Sequence, residues 1–419
     1  MKSFSKINQL RNQPYDISSI NEVCRSSDLS LTHSCPVCAS SGFEIFFELN
    51  KMPVFCNLLW KDRQAAQNCS QGDIKLAFCP ECGFIGNAVF DPEKLEYTED
   101  YECSLDFSPR FQSYAQSLAN NLIERHDLHD KKIIEIGSGK GDFLILLCEK
   151  GDNYGVGFDP TYVYRPEHER YQIDFVRDYY SEDYAQYQGD FIICRHTLEH
   201  IPHPTDFLTI LRKNIGTNSQ TKIFFEVPNA LDTFNNLAVW DIIYEHCCYF
   251  SPVSLTNAFS ICGFQVADTR EEYRGQFLCL EAIPTDERNQ KIAQTEALLQ
   301  LKQDIAEFDR KFQQKVSYWN DKLAEIARRD RKVVLWGAGS KGVTFLNILQ
   351  EQNNIEYVVD INPNKKGKYI PGTGQQIVAP EFLTHYQPDI VIIMNPIYEH
   401  EITKTLEAVK CNAKVITSI

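Results

Sequence analysis

The segment Glu135-Ile136-Gly137-Ser138-Gly139-Lys140-Gly141 constrains this chain more than any other. It follows the β-type run Lys132-Ile133-Ile134 and opens the apolar stretch Phe143-Leu144-Ile145-Leu146-Leu147, so the order is strand, glycine turn, helix. Bare backbone at such a turn lets a ligand sit close to the helix N-terminus. A second strand-like run, Tyr154-Gly155-Val156-Gly157-Phe158, ends at Asp159. A carboxylate roughly 20 residues past a glycine turn can accept hydrogen bonds from both hydroxyls of a ribose. A glycine turn alone would be a packing device; the turn, the strand before it and the acid after it together predict an α/β domain with a nucleoside-bearing ligand over the turn.

The same alternation continues on either side. Candidate strands at 132–136, 154–158, 174–176, 191–194, 222–227 and 277–282 are separated by helical periods, which predicts a mostly parallel sheet with helices on both faces. Ser108-Pro109 reads as a helix start, with serine as N-cap and proline in the first turn. Between 286 and 332 charged and amide residues dominate, yet Leu298, Leu301, Ile305, Phe308 and Phe312 keep an apolar stripe, as in one or two long helices. The pattern then restarts. Lys332-Val333-Val334-Leu335-Trp336 is a strand, Gly337-Ala338-Gly339-Ser340-Lys341-Gly342 a turn, and a strand at 355–359 ends at Asp360, with further strands at 390–394 and 414–417. A chain of 419 residues is expected to hold two or three domains. The divisions are an N-terminal arm (1–30), a cysteine-bearing part (31–104), a central α/β domain (105–285), a helical linker (286–330) and a smaller second α/β unit (331–419).

A net charge of −15 gives no broad field for nucleic acid phosphates. No apolar run approaches the ~20 residues that span a bilayer, and the start Met1-Lys2-Ser3-Phe4-Ser5-Lys6 lacks a hydrophobic signal core. A cytoplasmic protein, monomer or homodimer, is expected, with its 15 cysteines reduced. Four of them form a metal signature: Cys35-Pro36-Val37-Cys38 and Cys79-Pro80-Glu81-Cys82, followed by Gly83. Each turn presents two thiolates, and two turns complete a tetrahedron with no open position, which points to structural rather than catalytic zinc. The alternative is four buried thiols or a redox pair. Cys56 and Cys69 lie between the pairs without matching spacing.

Two stretches gather titratable residues beyond strand C-termini, where open α/β sheets bind ligands. One is Cys194-Arg195-His196-Thr197-Leu198-Glu199-His200; the other follows Val227-Pro228-Asn229 and contains Trp240-Asp241-Ile242-Ile243-Tyr244-Glu245-His246. Histidine near pH 7 can exchange a proton with a reacting oxygen or carbon acid. Tyr244, Glu245, His246 and His200 are therefore the candidate acid–base residues. Each has a bland reading: His200 as a capping or packed histidine, Tyr244-Glu245-His246 as a polar surface turn. Tyr101 could reach over the site, although an ordinary half-buried tyrosine is the simpler reading.

The acidic-x-Gly-x-Gly-x-Gly spacing resembles the cofactor loop of class I S-adenosylmethionine-dependent methyltransferases. From Cys35 to the C-terminus the chain resembles the three-part sugar C-methyltransferases, which act on nucleotide-linked keto-deoxysugars. The cysteine pairs, the loop at 135–141, Thr197-Leu198-Glu199-His200-Ile201-Pro202, Glu245-His246 and the C-terminal unit occur in the family's order. Leu335-Trp336-Gly337-Ala338-Gly339-Ser340-Lys341-Gly342 and Asp360-Ile361-Asn362-Pro363-Asn364-Lys365-Lys366-Gly367-Lys368-Tyr369-Ile370-Pro371-Gly372 resemble that family's signature most specifically. The resemblance implies a class I Rossmann-like central domain, a small N-terminal zinc-binding domain and a second, smaller Rossmann-like domain. It assigns Glu135, Gly137, Ser138, Gly139, Gly141, Asp159, Arg195 and His196 to S-adenosylmethionine. Cys35, Cys38, Cys79 and Cys82 are assigned to zinc. His200 and His246 then face the sugar with Glu245 beside them, and the partner is a nucleotide-linked sugar or another small acceptor.

One departure bears on the chemistry. The studied sugar enzymes carry Tyr-His-Glu-His at this loop, with the first tyrosine as proposed base; here the four residues are Ile243-Tyr244-Glu245-His246. Either Tyr244 or His246 takes the proton, or the acceptor is a hydroxyl or amine. Two other readings stand beside this one. Gly337-x-Gly339-x-x-Gly342 with Asp360 has dinucleotide-fingerprint spacing, which would suit an NAD-dependent oxidoreductase. The cysteine turns could also serve as a module targeting RNA or protein, for which Lys51, Lys61, Arg63 and Lys75 are sparse.

Overall fold

Strand and helix alternate because apolar residues change period along the chain, and a computed structural model shows the three sheets that result. It describes residues 34–95, 101–102, 104–286, 296–350 and 354–418; the arm at 1–30, Asp100 and Cys103 beside Tyr101, and the start of the expected linker lie outside the described residues. The central sheet runs in the order Phe264–Glu272, Phe277–Pro284, Lys222–Pro228, Phe191–Arg195, Lys132–Ile136, Tyr154–Phe158, Ile173–Val176. All neighbours are parallel except Phe277–Pro284, which runs antiparallel to both of its neighbours. This is the class I methyltransferase arrangement that the resemblance implied.

Strand periodicity decides how the layers close. Ile133, Phe191, Ile193 and Phe224 point to one face, where Leu118, Leu122, Leu144 and Leu147 of helices Pro109–His126 and Asp142–Gly151 cover them. Ile134, Ile192 and Phe225 point to the other, under Leu208 and Phe259 of helices Pro204–Ile215 and Pro252–Ile261. Strands buried on both faces are mostly apolar. The first helix begins as read: Ser108 accepts the N–H of Phe111, with Pro109 next in line.

The C-terminal unit is a five-stranded parallel sheet, Gln376–Val378, Ile355–Val359, Val333–Trp336, Ile390–Ile393, Lys414–Thr417. The N-terminal part is a four-stranded antiparallel sheet whose last member, Cys248–Tyr249, comes from the central domain, just after Glu245-His246. Among the described residues of the stretch expected as a linker stands the helix Glu296–Arg328, and it does more than connect. Its buried stripe, Leu298, Leu301, Ile305, Phe308, Phe312, Trp319 and Leu323, joins Phe47 and Leu76 of the N-terminal sheet and Leu335 and Phe345 of the C-terminal unit in one core.

Candidate active site

The glycine turn separates into packing and open positions. Gly137, Gly139 and Gly141 have φ of +72°, +52° and +85°, the left-handed region that favours glycine. A Cβ on Gly137 would stand 1.9 Å from Thr197 Oγ1, whereas one on Gly139 would meet nothing within 4 Å. The middle glycine therefore faces open space, and a ligand can approach its backbone. Asp159 reaches back to this loop. Its Oδ2 accepts the Gly139 N–H at 2.7 Å, and its Oδ1 accepts the N–H and hydroxyl of Thr161 at 2.8 and 2.6 Å. A carboxylate has about four lone-pair sites, so with three taken one is left for a ribose hydroxyl. Glu135 is buried, and burial pushes its carboxyl up to about 8. Its Oε2 and the Ser138 hydroxyl have no hydrogen-bond partner, and a polar ligand group over the turn would satisfy them.

Arg195 and His196 are placed differently. Both converge on Glu226, a fully buried carboxylate in the strand Lys222–Pro228. Arg195 donates to Glu226 Oε1 from Nε at 3.0 Å and Nη2 at 2.8 Å, His196 Nε2 lies 2.9 Å from the same oxygen, and the Tyr114 hydroxyl bonds Oε2. Burial alone would raise the Glu226 carboxyl, but Arg195 and its other donors hold it well below the usual carboxylate range. The Arg195 guanidinium also lies 4.0 Å over the Phe143 ring in the helix that follows the glycine turn. These two residues thus brace the sheet behind the loop. Glu226 was not singled out from the sequence; a lone glutamate inside Ile223-Phe224-Phe225-Glu226-Val227 was the available signal, because a charge is rarely buried without partners.

The second cluster forms where the two polar stretches meet. The donor atoms of Glu199, His200 and His246 lie within 4.8 Å of one another, and the imidazoles are 5.0 Å apart, edge to face. Loss of solvation lowers His200 to about 3 and His246 to about 4, so both rings are neutral at pH 7. His200 Nδ1 is 2.9 Å from the Glu245 carbonyl oxygen, and His246 bonds the Asp241 main chain. A carbonyl only accepts, so each ring donates an N–H there and keeps a lone pair on its other nitrogen. Burial raises Glu199 and Glu245 to about 7. Glu245 accepts the Cys56 N–H at 2.7 Å and bonds Tyr101, which therefore does reach this loop. The structure does not bring Tyr244 to the imidazoles: its ring packs against Gly72 and Phe90, and its hydroxyl accepts the Asp91 N–H at 3.0 Å. Ile243 is buried in the core shared with the N-terminal sheet.

The four cysteines fit a metal. Sulfur pairs Cys35–Cys82 and Cys38–Cys79 are each 3.6 Å apart; thiolates about 2.3 Å from a tetrahedral ion would lie about 3.8 Å apart. Gly83, at φ +77°, closes the second turn by donating its N–H to the Cys79 carbonyl at 2.9 Å. Thr205 donates to the Pro36 carbonyl at 3.0 Å and Asn257 to that of Cys82 at 3.1 Å, seating both turns on the central domain.

In the C-terminal unit, Asp360 accepts the Ala338 N–H at 2.8 Å, the same relation that Asp159 has to Gly139. A Cβ on Gly339 would also meet nothing within 4 Å, and Asp360 accepts the Asn362 N–H at 2.8 Å as Asp159 does that of Thr161; the two turns differ in their cations. The buried Lys365 ammonium donates to the Ala338 carbonyl at 3.0 Å, and Lys341 is paired with Asp241 at 2.9 Å. The fingerprint's cations are engaged within the protein.

Residues 109–269 match the family model of a methyltransferase domain, and residues 268–419 match that of the C-methyltransferase C-terminal domain. The chain is similar to C-methyltransferase NovU of Streptomyces niveus, 25% identical over 388 residues that cover 88% of this chain and 90% of that protein. Among solved structures, 1,6-didemethyltoxoflavin-N1-methyltransferase of Burkholderia thailandensis is 16% identical with a TM-score of 0.33, covering 43% of this chain and 83% of that one. Magnesium protoporphyrin IX methyltransferase of Synechocystis PCC 6803 is 17% identical with a TM-score of 0.33, covering 42% and 84%.

Proposed function

We propose that this chain, whose family matches and 25% identical relative are those of C-methyltransferases, methylates a nucleotide-linked keto-deoxysugar at the carbon beside the ketone. The observation that carries this reading is the pair of neutral imidazoles, His200 and His246, each held by a carbonyl with its other nitrogen unprotonated. A neutral imidazole is the form that accepts a proton. His246 takes the α-proton of the sugar, and the Asp241 carboxylate steadies the imidazolium that forms. His200 stands beside it at the sugar, and Glu245, anchored by Cys56 and Tyr101, fixes the loop that presents His246. The open face of Gly139, the unpartnered Glu135 and Ser138 oxygens and the Asp159 carboxylate support placing the methyl donor at the first glycine turn. S-adenosylmethionine supplies the electrophilic methyl group, to which the enolate carbon bonds as the sulfur–carbon bond breaks.

Zinc on Cys35, Cys38, Cys79 and Cys82 is part of the same proposal, as are the division into zinc-binding, methyltransferase, helical and C-terminal parts and a cytoplasmic place of work. Transfer to a sugar oxygen is the second reading, favoured by Ile243 at the position of the family's tyrosine and by the engagement of Tyr244 with Asp91. Deuterium exchange separates the two. With S-adenosylhomocysteine bound, a thymidine-diphosphate 4-keto-6-deoxyhexose in deuterated water should exchange its α-hydrogen with wild type and not with His246→Asn. Methyl delivery to the sugar without any enzyme-dependent exchange would establish oxygen transfer instead.

A further inference from the structure

We propose that the C-terminal domain acts directly on the reaction through Lys341, which positions His246 and tunes its basicity by way of Asp241. The inference rests on the reading of His246 as proton acceptor. Asp241 lies at the end of the short helical turn Val239–Asp241, five positions before that histidine. Its main chain accepts the His246 ring N–H and so selects which nitrogen is left to accept a proton. Its side chain belongs to the other domain's loop: Oδ2 takes Lys341 Nζ at 2.9 Å and Oδ1 takes the Ser340 hydroxyl at 3.4 Å. The turn is clamped from the same side, since Trp240 packs edge-on against Phe345 at 5.0 Å and donates its indole N–H to the Ser418 carbonyl at 3.1 Å.

The pair is well shielded, with side-chain exposures of 16% for Lys341 and 21% for Asp241, so its charges are weakly screened and felt at short range. Around His246 stand the charges of Asp241 and Lys341, the imidazoles of His196 and His200, the carboxyl groups of Glu199 and Glu245, and the edge of Tyr249. Lys341 itself also feels Asp232 and Lys315. Of these groups Lys341 is the cation supplied by the C-terminal glycine turn. Removing it leaves the Asp241 carboxylate uncompensated, which favours the protonated imidazole and frees the turn that holds the His246 carbonyl partner. Lys341 is thus a positioning residue, and the dinucleotide-like spacing around it serves the neighbouring domain rather than a cofactor of its own.

The test is histidine NMR on the full chain. The His246 resonance, identified by its loss in His246→Asn, is followed through pH in wild type, Lys341→Met and Lys341→Arg. Lys341→Met should move the titration upward by about one pH unit and blur the fixed tautomer. Lys341→Arg should return both, and Asp241→Asn, which removes the ion pair but keeps the carbonyl, should move the titration downward relative to Lys341→Met. Turnover of the keto-deoxyhexose by Lys341→Met should fall at least ~10-fold in kcat, because the lost alignment of the ring outweighs its higher basicity, with S-adenosylhomocysteine affinity unchanged. An unchanged His246 titration and tautomer in Lys341→Met would overturn the inference, as would an effect on KM alone. If His246→Asn turns over at the full rate, the proton-acceptor reading fails instead, whatever Lys341 does.

Discussion

In the proposed reaction Asp159 holds the donor and His246 moves the proton, and each can be removed separately. Asp159→Ala deletes a carboxylate that bonds the glycine turn. Charge-assisted hydrogen bonds contribute roughly 1.5–3 kcal/mol each, so calorimetric titration should show S-adenosylhomocysteine binding weakened about 10- to 100-fold. Unchanged affinity would mean that the ribose is held elsewhere. His246→Asn should cut turnover by roughly 10²–10⁴-fold while donor affinity stays within a factor of about two; a variant at full rate would remove this histidine from the chemistry. Residues defined by local spacing were legible in the sequence: the glycines, Asp159 and the cysteine turns. Residues defined by what packs against them were not. Tyr244 and His246 are two positions apart, yet one faces Gly72 and the other His200, and nothing in Ile243-Tyr244-Glu245-His246 dictates that divergence. Arg195 and His196 followed a strand end toward the expected ligand, and a buried glutamate from the next strand drew both inward.

Elements show the same contrast. Apolar runs of the parallel sheet announced themselves, but Phe264–Glu272 did not. It is an edge strand with a bulge between Val266 and Asp268 and mostly polar, part-exposed side chains, so it carries no apolar signature. Its charges tie it to its neighbour instead. Glu281 on Phe277–Pro284 receives Arg125 and Arg270, both at 2.6 Å, and lies 3.1 Å from His126. Burial alone would raise this carboxyl; His126, Arg270 and Arg125 outweigh it and hold it at about 2. A depressed carboxyl stabilises the fold above its unfolded value near 4.3, and that contribution disappears as pH falls toward 2. Glu281→Gln should therefore lose roughly 1.5–3 kcal/mol at pH 7, measured by urea titration, and the gap to wild type should close between about pH 4 and pH 2. A gap constant with pH would show that the loss is packing rather than charge.

On the scale of the whole molecule, the helix Glu296–Arg328 decides the architecture. Phe308 lies edge-on to Phe47 of the N-terminal sheet at 5.1 Å and to Phe234 of the central domain at 4.9 Å. The same stripe reaches Phe345 of the C-terminal unit through Trp319 at 5.2 Å. From sequence this stretch looked like a connector, because its solvent face is dense in charge; what lay under its stripe was invisible until the sheets were placed. A core shared this way predicts one cooperative thermal transition for all three parts, where two separated calorimetric peaks would contradict it. Phe308→Ala should cost about 3–5 kcal/mol and lower that single transition. Stripping metal from the cysteine turns should lower it as well, because both turns are bonded to the central domain.

Glu102 shows how the parts meet over the first glycine turn: its carboxylate takes Lys140 of that turn at 2.6 Å and Asn364 of the C-terminal unit at 2.8 Å. The account depends on a methyl donor lying at that turn with its sulfur directed to the histidine loops, and a crystal structure with S-adenosylhomocysteine tests this most directly. The ribose should rest on Asp159, with the sulfur toward His200 and His246 and an open volume for the sugar between them. Density for the ligand at the second glycine turn beside Asp360, or a sulfur turned away from both imidazoles, would contradict it.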